Sequence, residues 1–428
     1  MNRSKPDLLQ RRQLLRAGLA LGGLALTGCA GTPAGPSIGR VVVVGGGFGG
    51  ATAARYLRLW GGNVDVTLVE RNPQFISCPM SNLVIGGHQQ MADITMGYGS
   101  LQATGVKLVQ GDVVAIDTVA RKVRLASGTE LPYDRLVVSP GVDFMLDQVG
   151  GLAAELGRGT VTHGWKAGPQ TVALRRQLEA MPDGGVFAMT IPKVPYRCPP
   201  GPYERACMVA SYLKVAKPKS KVLVLDANPE IQSKKALFER AFKQHYDGLL
   251  EYRPNAELKE VAGTLAKLEF EDVKADVLNV IPPQRAADLA RSAGLITINN
   301  RWVGVNWLTM EATAAPGVHV LGDAVFSAPL MPKSGHMANQ QAKVAAAAII
   351  QLLKGEPVNA TPLVMNTCYS FVTARDVVHV ASVHQYDAAE KTFKAVPGSG
   401  GVSAASNALE GRYAMGWAQN IWADMLAA

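Results

Sequence analysis

An α/β chain with two Rossmann-like dinucleotide-type domains and a C-terminal α/β domain is predicted by three observations. Four valines, Val41 to Val44, lead into the glycine turn Gly45-Gly46-Gly47-Phe48-Gly49-Gly50 and then a helical stretch. That is the strand-turn-helix opening of a dinucleotide fold. A second α/β segment begins near Gly164, and a late Val318-His319-Val320-Leu321-Gly322-Asp323 run precedes an alanine-rich helix. With 428 residues, 48% of them hydrophobic, the chain can bury a large core divided over two or three domains.

Each element follows from local pattern. The β-branched run Arg40 to Val44 predicts a strand, Ala51 to Trp60 a helix, and Val64 to Val69 a second strand ending in Glu70. Turn residues divide 105–139 into short strands at Lys107 to Gln110, Arg121 to Leu125 and Arg135 to Val138. The second segment reads as helix Gln170 to Leu178, strand Gly185 to Met189, helix Tyr203 to Leu213 and strand Lys221 to Leu225. Helix Met337 to Leu353 follows the late strand, and past Thr361 the chain reads as a separate α/β or mainly β unit. The tail Arg412 to Ala428 is apolar, with Trp417 and Trp422, and is expected to pack on the body or on a partner.

The glycine turn satisfies GxGxxG through Gly45, Gly47 and Gly50. Gly45 turns the chain, Gly47 lets a pyrophosphate approach the backbone, and Gly50 lets the helix pack on the strand. Glu70 is suited to the hydroxyls of an adenosine ribose and would repel a ribose phosphate. The Gly322-Asp323 pair resembles the motif that places an aspartate on the FAD ribityl chain in flavoprotein reductases, which favours FAD over a nicotinamide and puts Asp323 on that chain. Pro332-Lys333-Ser334-Gly335-His336 would lie beside the flavin ring, with the helix behind it aiming its positive end there. Lys333 reads equally as a solvated surface lysine.

A nicotinamide enzyme of this architecture needs a second glycine loop. The equivalent segment, Val186 to Pro202, has five prolines and no GxGxxG before its helix, so it is expected to deliver Cys198 to the flavin instead. The resulting division is 1–36 export signal and linker, 37–163 first part of the FAD-binding domain, and 164–290 second Rossmann-like domain lacking a nicotinamide loop. The second part of the FAD-binding domain is 291–360, and 361–428 is the C-terminal domain.

Arg11-Arg12 followed by the uncharged run Ala17 to Ala30 predicts export to the periplasm by the twin-arginine route. Leu26-Thr27-Gly28-Cys29 also resembles a lipoprotein processing site; membrane attachment is expected only if Cys29 is lipidated. The whole-chain charge of +9 falls to +5 once 1–36, with five Lys/Arg and one Asp, is removed. That modest excess gives no reason to expect nucleic acid.

Cys78, Cys198 and Cys368 sit among Pro, Gly and Asn, which predicts irregular loops and exposed sulfur chemistry; Cys207 lies in an apolar helical run and reads as a core thiol. No CxxCH haem motif or metal-ligand spacing occurs. Cys198 and Cys368 are the candidate catalytic pair, as a stabilising disulfide or, preferably, as a redox-active one. Without a nicotinamide site, substrate electrons need another route to the flavin. Lys193, Arg197 and Lys333 are candidate cations for attracting an anion and stabilising an anionic reduced flavin.

These motifs resemble the flavoprotein subunit of flavocytochrome c sulfide dehydrogenase, in the wider disulfide-reductase-like group of the glutathione-reductase kind. The carriers are the glycine loop, Asn72-Pro73, Cys78-Pro79-Met80-Ser81-Asn82, Tyr196-Arg197-Cys198-Pro199-Pro200-Gly201-Pro202-Tyr203-Glu204-Arg205, Pro332 to His336 and Asn366-Thr367-Cys368-Tyr369. The resemblance implies oxidation of hydrogen sulfide to sulfane sulfur or polysulfide through a Cys198–Cys368 disulfide. Cys368 facing the flavin with Cys198 receiving the substrate sulfur is the preferred order, and the sequence leaves the reverse order open. It implies FAD held covalently by Cys78, with Gly45, Gly47, Phe48, Gly50, Glu70, Arg71, Asn82, Asp323 and Lys333 around it. It also implies a c-type cytochrome subunit as partner in a heterodimer. The alternative is a sulfide:quinone oxidoreductase, which would want a membrane-facing tail.

Overall fold

The valine run is buried along its whole length because it forms the middle of a parallel sheet. Gly39–Val44 pairs with Val64–Glu70 on one side, Val41 opposite Val66, and with Arg135–Val138 on the other, Val43 opposite Val137. Lys107–Gln110 and Val318–Val320 extend the sheet in parallel on its two sides. A parallel sheet needs cover on both faces, which is why its strands read as continuous apolar runs. Helices Phe48–Gly61 and Gly335–Lys354 pack together against it. The computed structural model describes residues 36–427. The export-signal reading and Cys29 lie outside the described residues.

The chain leaves this sheet through Val142–Phe144 and returns through Gln284–Ala286, and those two short strands pair antiparallel. Between them lies a second parallel sheet in the order Leu250–Arg253, Lys221–Asp226, Val186–Ile191, Val277–Val280. Helix Gly201–Ala216 follows Val186–Ile191 and buries the run Ala206 to Ala210. Cys207 is thus a core thiol, and burial pushes it well above the ordinary thiol range. The Rossmann-like α/β architecture is therefore as expected.

Past residue 361, strands Leu363–Phe371, Val377–Asp387 and Thr392–Ala395 form an antiparallel sheet, and helix Ala408–Leu426 closes the chain. Here one expectation is corrected. Cys368 is not in an irregular loop but within the nine-residue edge strand, opposite Val380. Strand alternation explains the misleading composition: Val364, Asn366 and Ser370 are buried, while Leu363 and Met365 are exposed.

The terminal helix starts at Asn407, whose side chain accepts the Glu410 N–H at 2.9 Å, and buries Ala414, Ala418, Ile421 and Met425. Asp424 fastens it to the first domain, accepting from Tyr56 at 2.6 Å and Asn339 at 2.7 Å and pairing with Lys343 at 2.9 Å. The tail is therefore packed on the body. No helix among the described residues is long and apolar enough to cross a membrane.

Two glycines of the turn are required sterically. Gly45 has φ of 97°, and a Cβ on Gly50 would lie 1.8 Å from the Gly45 carbonyl oxygen, inside any tolerable contact. Gly50→Ala is expected to force the turn open and lower both the thermal midpoint and the FAD content of purified protein, measured by differential scanning fluorimetry and absorbance near 450 nm.

Candidate active site

A cavity of about 490 Å³ runs from the glycine turn to the cysteines, within the usual range for ligand sites. At one end Gly47 faces open space, since an added Cβ would meet nothing within 4 Å. Glu70 lines this end and is held by the turn itself: its Oε2 accepts the Gly46 N–H at 2.6 Å and its Oε1 the Asn72 N–H at 2.8 Å. Phe48 and Asp323 line it too, and Asp323 Oδ1 is buried without a hydrogen-bond partner. A buried carboxylate oxygen with no donor is costly, so it fits a cavity meant for a polyhydroxyl chain. Ser334 caps helix Gly335–Lys354 at the rim, accepting from Met337 N–H at 3.0 Å, so the positive end of a 20-residue helix meets the cavity. These residues fit the FAD that the fold implies.

The other end holds the sulfur. Cys198 and Cys368 come together on the cavity wall, close enough for each to shift the other's acidity. Cys198 sits at φ 55°, outside the usual L-residue region, and donates its N–H to the Lys333 carbonyl at 2.8 Å. A Cβ on Gly201 would lie 2.8 Å from Cys198 Sγ and 2.9 Å from the Trp165 ring, so only glycine leaves room for both. The two thiols differ in acidity. The neighbouring Cys198 brings Cys368 down to about 7; burial opposes this and the Lys234 ammonium assists it. The neighbouring Cys368, together with burial, raises Cys198 well above the ordinary range.

Cys78 reaches the cavity from the loop before Ser81–Ile85, and its Sγ lies 3.1 Å from Arg197 Nη2. Arg197 also donates to the Trp165 carbonyl. Burial would lower its pKa, but the nearby Cys78 and Asp323 outweigh that and raise it. Asn82 lines the cavity with its amide committed to protein: it donates to Glu204 at 2.8 Å and to the Gly201 carbonyl at 3.2 Å, and accepts from Arg205 Nε at 3.1 Å.

Two expected positions turn out differently, and Lys333 lines the cavity. Arg71 points away to solvent and pairs with Asp112 at 3.0 Å; it does not line the cavity. Lys193 pairs with Glu257 at 2.7 Å beside a separate 150 Å³ crevice, away from the sulfur end. Lys333 is buried, not a solvated surface lysine. Its ammonium donates to the carbonyls of Asp323, at 3.0 Å, and Val325, and lies 3.9 Å from the Trp302 ring centre. Burial lowers it to about 7. Lys333 therefore ties down the Asp323 turn with its side chain and the Cys198 loop with its backbone.

Sequence reasoning assigned no role to Trp165, Glu204, Arg205 or Lys234. Arg205 is 1% exposed and donates to the carbonyls of His163 and Gly164, at 2.8 and 2.6 Å, and to Asn279 at 3.0 Å, as well as to Asn82. Burial lowers it to about 9. Glu204, raised by burial, accepts the Phe371 N–H at 2.9 Å. A buried Arg and Glu adjacent in a first helical turn were the available signal, because such residues are rarely buried without partners.

A dinucleotide turn, a cleft suited to FAD and a cysteine pair at its far end are the arrangement of a disulfide-reductase-like fold. Three family models match: "Pyridine nucleotide-disulphide oxidoreductase" over 39–173, "Sulfide dehydrogenase [flavocytochrome c] flavoprotein chain, central" over 171–282, and "Flavocytochrome c sulphide dehydrogenase, flavin-binding" over 360–426. The chain is similar to FAD/NAD(P)-binding disulfide oxidoreductases and to the sulfide-oxidising flavoproteins among them.

A mitochondrial sulfide:quinone oxidoreductase of Dictyostelium discoideum is 26% identical over 308 residues, 67% of this chain and 65% of the relative, so the match spans slightly under two-thirds of that protein. A flavocytochrome c sulfide dehydrogenase flavoprotein chain of Chlorobaculum thiosulfatiphilum is 60% identical over 45 residues, 10% of this chain and 94% of that sequence. The solved sulfide:quinone oxidoreductase of Aquifex aeolicus shares the fold with a TM-score of 0.74 at 20% identity, covering 90% of this chain and 91% of its own.

The expectation of a c-type cytochrome acceptor and heterodimer partner is corrected by these matches. Relatives matched over most of the chain are quinone oxidoreductases, whereas the flavocytochrome c chain matches only a short stretch. The motifs that suggested a cytochrome line the cofactor and sulfur side of the cleft, and nothing in those loops specifies the acceptor.

Arg205→Met is expected to lower the unfolding free energy by about 3 kcal/mol, because it strands several buried acceptors. Arg71→Ala is expected to change it by less than about 0.5 kcal/mol, as for an exposed ion pair. Urea unfolding of the two variants beside wild type checks both values.

Proposed function

We propose that this chain oxidises hydrogen sulfide to sulfane sulfur or polysulfide through a Cys198–Cys368 disulfide and passes the electrons to a quinone. The placement of two cysteines together at the end of a dinucleotide cleft carries the reading. The sulfide:quinone oxidoreductases matched over most of the chain support it.

The chemistry follows from the thiols. In the oxidised pair, HS⁻ attacks the Cys198 sulfur. One S–S bond breaks as another forms, leaving a persulfide on Cys198 and a thiolate on Cys368, with the negative charge conserved. The Lys234 ammonium sits on the Cys368 carbonyl and favours negative charge there, so Cys368 is the sulfur that departs. FAD, held by the Gly45–Gly50 turn, Glu70 and Asp323, supplies when bound a two-electron acceptor beside the pair. Trp165, Tyr369 and Trp417 wall the sulfur end and limit water there. Arg197 places a cation next to Cys78 and Cys198, which favours entry of an anion.

The finer parts of the reading are these. Cys78 holds the FAD covalently; its sulfur faces the cavity and a guanidinium. The enzyme works in the periplasm after twin-arginine export. Exposed apolar side chains of the C-terminal unit, Leu363, Met365 and Leu409, suit approach to a quinone-bearing membrane.

Anaerobic addition of sulfide is expected to bleach the flavin absorbance of wild-type protein, with Cys198→Ser and Cys368→Ser slowed at least about a hundredfold while FAD stays bound. Near-normal bleaching in both variants contradicts the cysteine route. A water-soluble quinone is expected to reoxidise the protein faster than cytochrome c does; the reverse order contradicts the acceptor. After acid denaturation and gel filtration, yellow colour should remain with wild-type chain and separate from Cys78→Ser.

A further inference from the structure

Lys234 belongs to no motif in the sequence, and the backbone treats it unusually. It caps helix Lys235–Tyr246 at φ 56° and ψ 38°, a left-handed conformation that costs a lysine about 1 kcal/mol. That turn sends the side chain inward, leaving the residue 9% exposed. The ammonium crosses from the second sheet's layer to the C-terminal sheet, where it donates to the Cys368 carbonyl at 3.1 Å, the Ser370 hydroxyl at 2.8 Å and the Val378 carbonyl at 3.5 Å. The Phe238 ring lies 5.8 Å away. All three acceptors are neutral, and a buried ammonium without a countercharge is expensive.

The anionic groups facing it are Cys368, Glu204, Cys198 and Glu410. Three of them are committed or disfavoured as anions. Burial raises Glu204. The neighbouring Cys368 and burial raise Cys198. Glu410 stays ionised but is held by Ser403 at 2.6 Å and His379 at 2.9 Å, and it acts on Lys234 less than the other three do. Cys368 remains as the group whose ionisation balances the ammonium, and it belongs to the strand residue to which the ammonium is anchored.

We propose that Lys234 is a positioning residue for the sulfur pair: its buried ammonium, fixed on the Cys368 carbonyl and the Ser370 hydroxyl, is the countercharge that keeps the negative charge on Cys368 when the disulfide opens. The proposal deepens the sulfide-oxidising reading and relies on it only for the origin of the opening step. With Cys198–S–S–Cys368 and HS⁻ as reactants and Cys198–S–SH and Cys368–S⁻ as products, no electron is gained or lost. Lys234 loses no proton; it lowers the energy of the charged product. Breaking the tie should slow opening and leave the site otherwise assembled.

The test uses FAD-loaded holoprotein reduced with dithiothreitol, without sulfide, and reads iodoacetamide alkylation of Cys368 against pH by peptide mass spectrometry. Only the thiolate reacts, so the midpoint reports its ionisation. Wild type is expected near pH 7. Lys234→Gln is expected to raise the midpoint by about one pH unit or more, a drop of about fivefold in rate at pH 7, and Lys234→Arg to restore most of it. If Lys234→Gln does not fold, Ser370→Ala removes the closest anchor while keeping the charge and is expected to shift the midpoint the same way by less. An unchanged midpoint in the folded Gln variant, or in Ser370→Ala where that variant is the one available, overturns the proposal. A Lys234-dependent shift in a protein inert to sulfide would defeat the functional reading and leave this inference standing. Sulfide oxidation with no such dependence would do the reverse.

Discussion

The hydrogen bond from the Phe371 amide to the Glu204 carboxylate is the contact on which the sulfur end of the cleft depends. Glu204 lies six residues after Cys198, in the first turn of a helix in the second domain; Phe371 lies three residues after Cys368, at the end of a strand in the C-terminal unit. Nothing in chain order brings those segments together. A buried carboxylate that must be satisfied does so, because leaving it without donors would cost several kcal/mol or force it to be neutral. Asn82 supplies its second donor from the first domain, and Arg205 bonds Asn82 in turn. One small polar cluster therefore fixes three parts of the chain around Cys198, Cys368 and Cys78.

That cluster sits where two parallel sheets present the same cavity with different chemistry. The first sheet contributes the glycine turn, Glu70 and the Asp323 turn, all arranged for a long polar cofactor. The second contributes Cys198 through a proline-stiffened loop that starts just past the end of its Val186–Ile191 strand. Lys333 joins the two: its ammonium holds the carbonyl of Asp323 and its own carbonyl takes the Cys198 amide. Any movement of the cofactor turn is thereby felt at the sulfur.

How much of this was legible in the sequence depends on whether the physics was local. The glycine turn, Glu70 and the surrounding strands could be read because turn geometry and valine periodicity act over a few residues. Helix ends shifted by two or three positions, as when Gly335–Lys354 starts at its Ser334 cap before the apolar run does. Cys368 was misread as a loop residue because polar Asn366 and Thr367 hide an alternation visible only once Val377–Asp387 lies beside it. Arg71 follows Glu70 in the chain, but the strand end turns it to Asp112. Glu204, Arg205 and Lys234 act through partners 41 to 167 residues away, which no local pattern encodes. The acceptor was misjudged because the recognisable loops line the sulfur side alone.

The central claim is that Cys198 and Cys368 form one interconverting pair at the end of the cofactor cleft. Non-reducing peptide mapping of the air-oxidised protein tests it most directly. The account predicts a single cross-linked species joining the peptides of Cys198 and Cys368, lost after addition of one equivalent of a two-electron thiol reductant, with Cys207 unmodified throughout. Cys198 and Cys368 recovered as free thiols from the oxidised protein, or a cross-link from either of them to another cysteine, would contradict it.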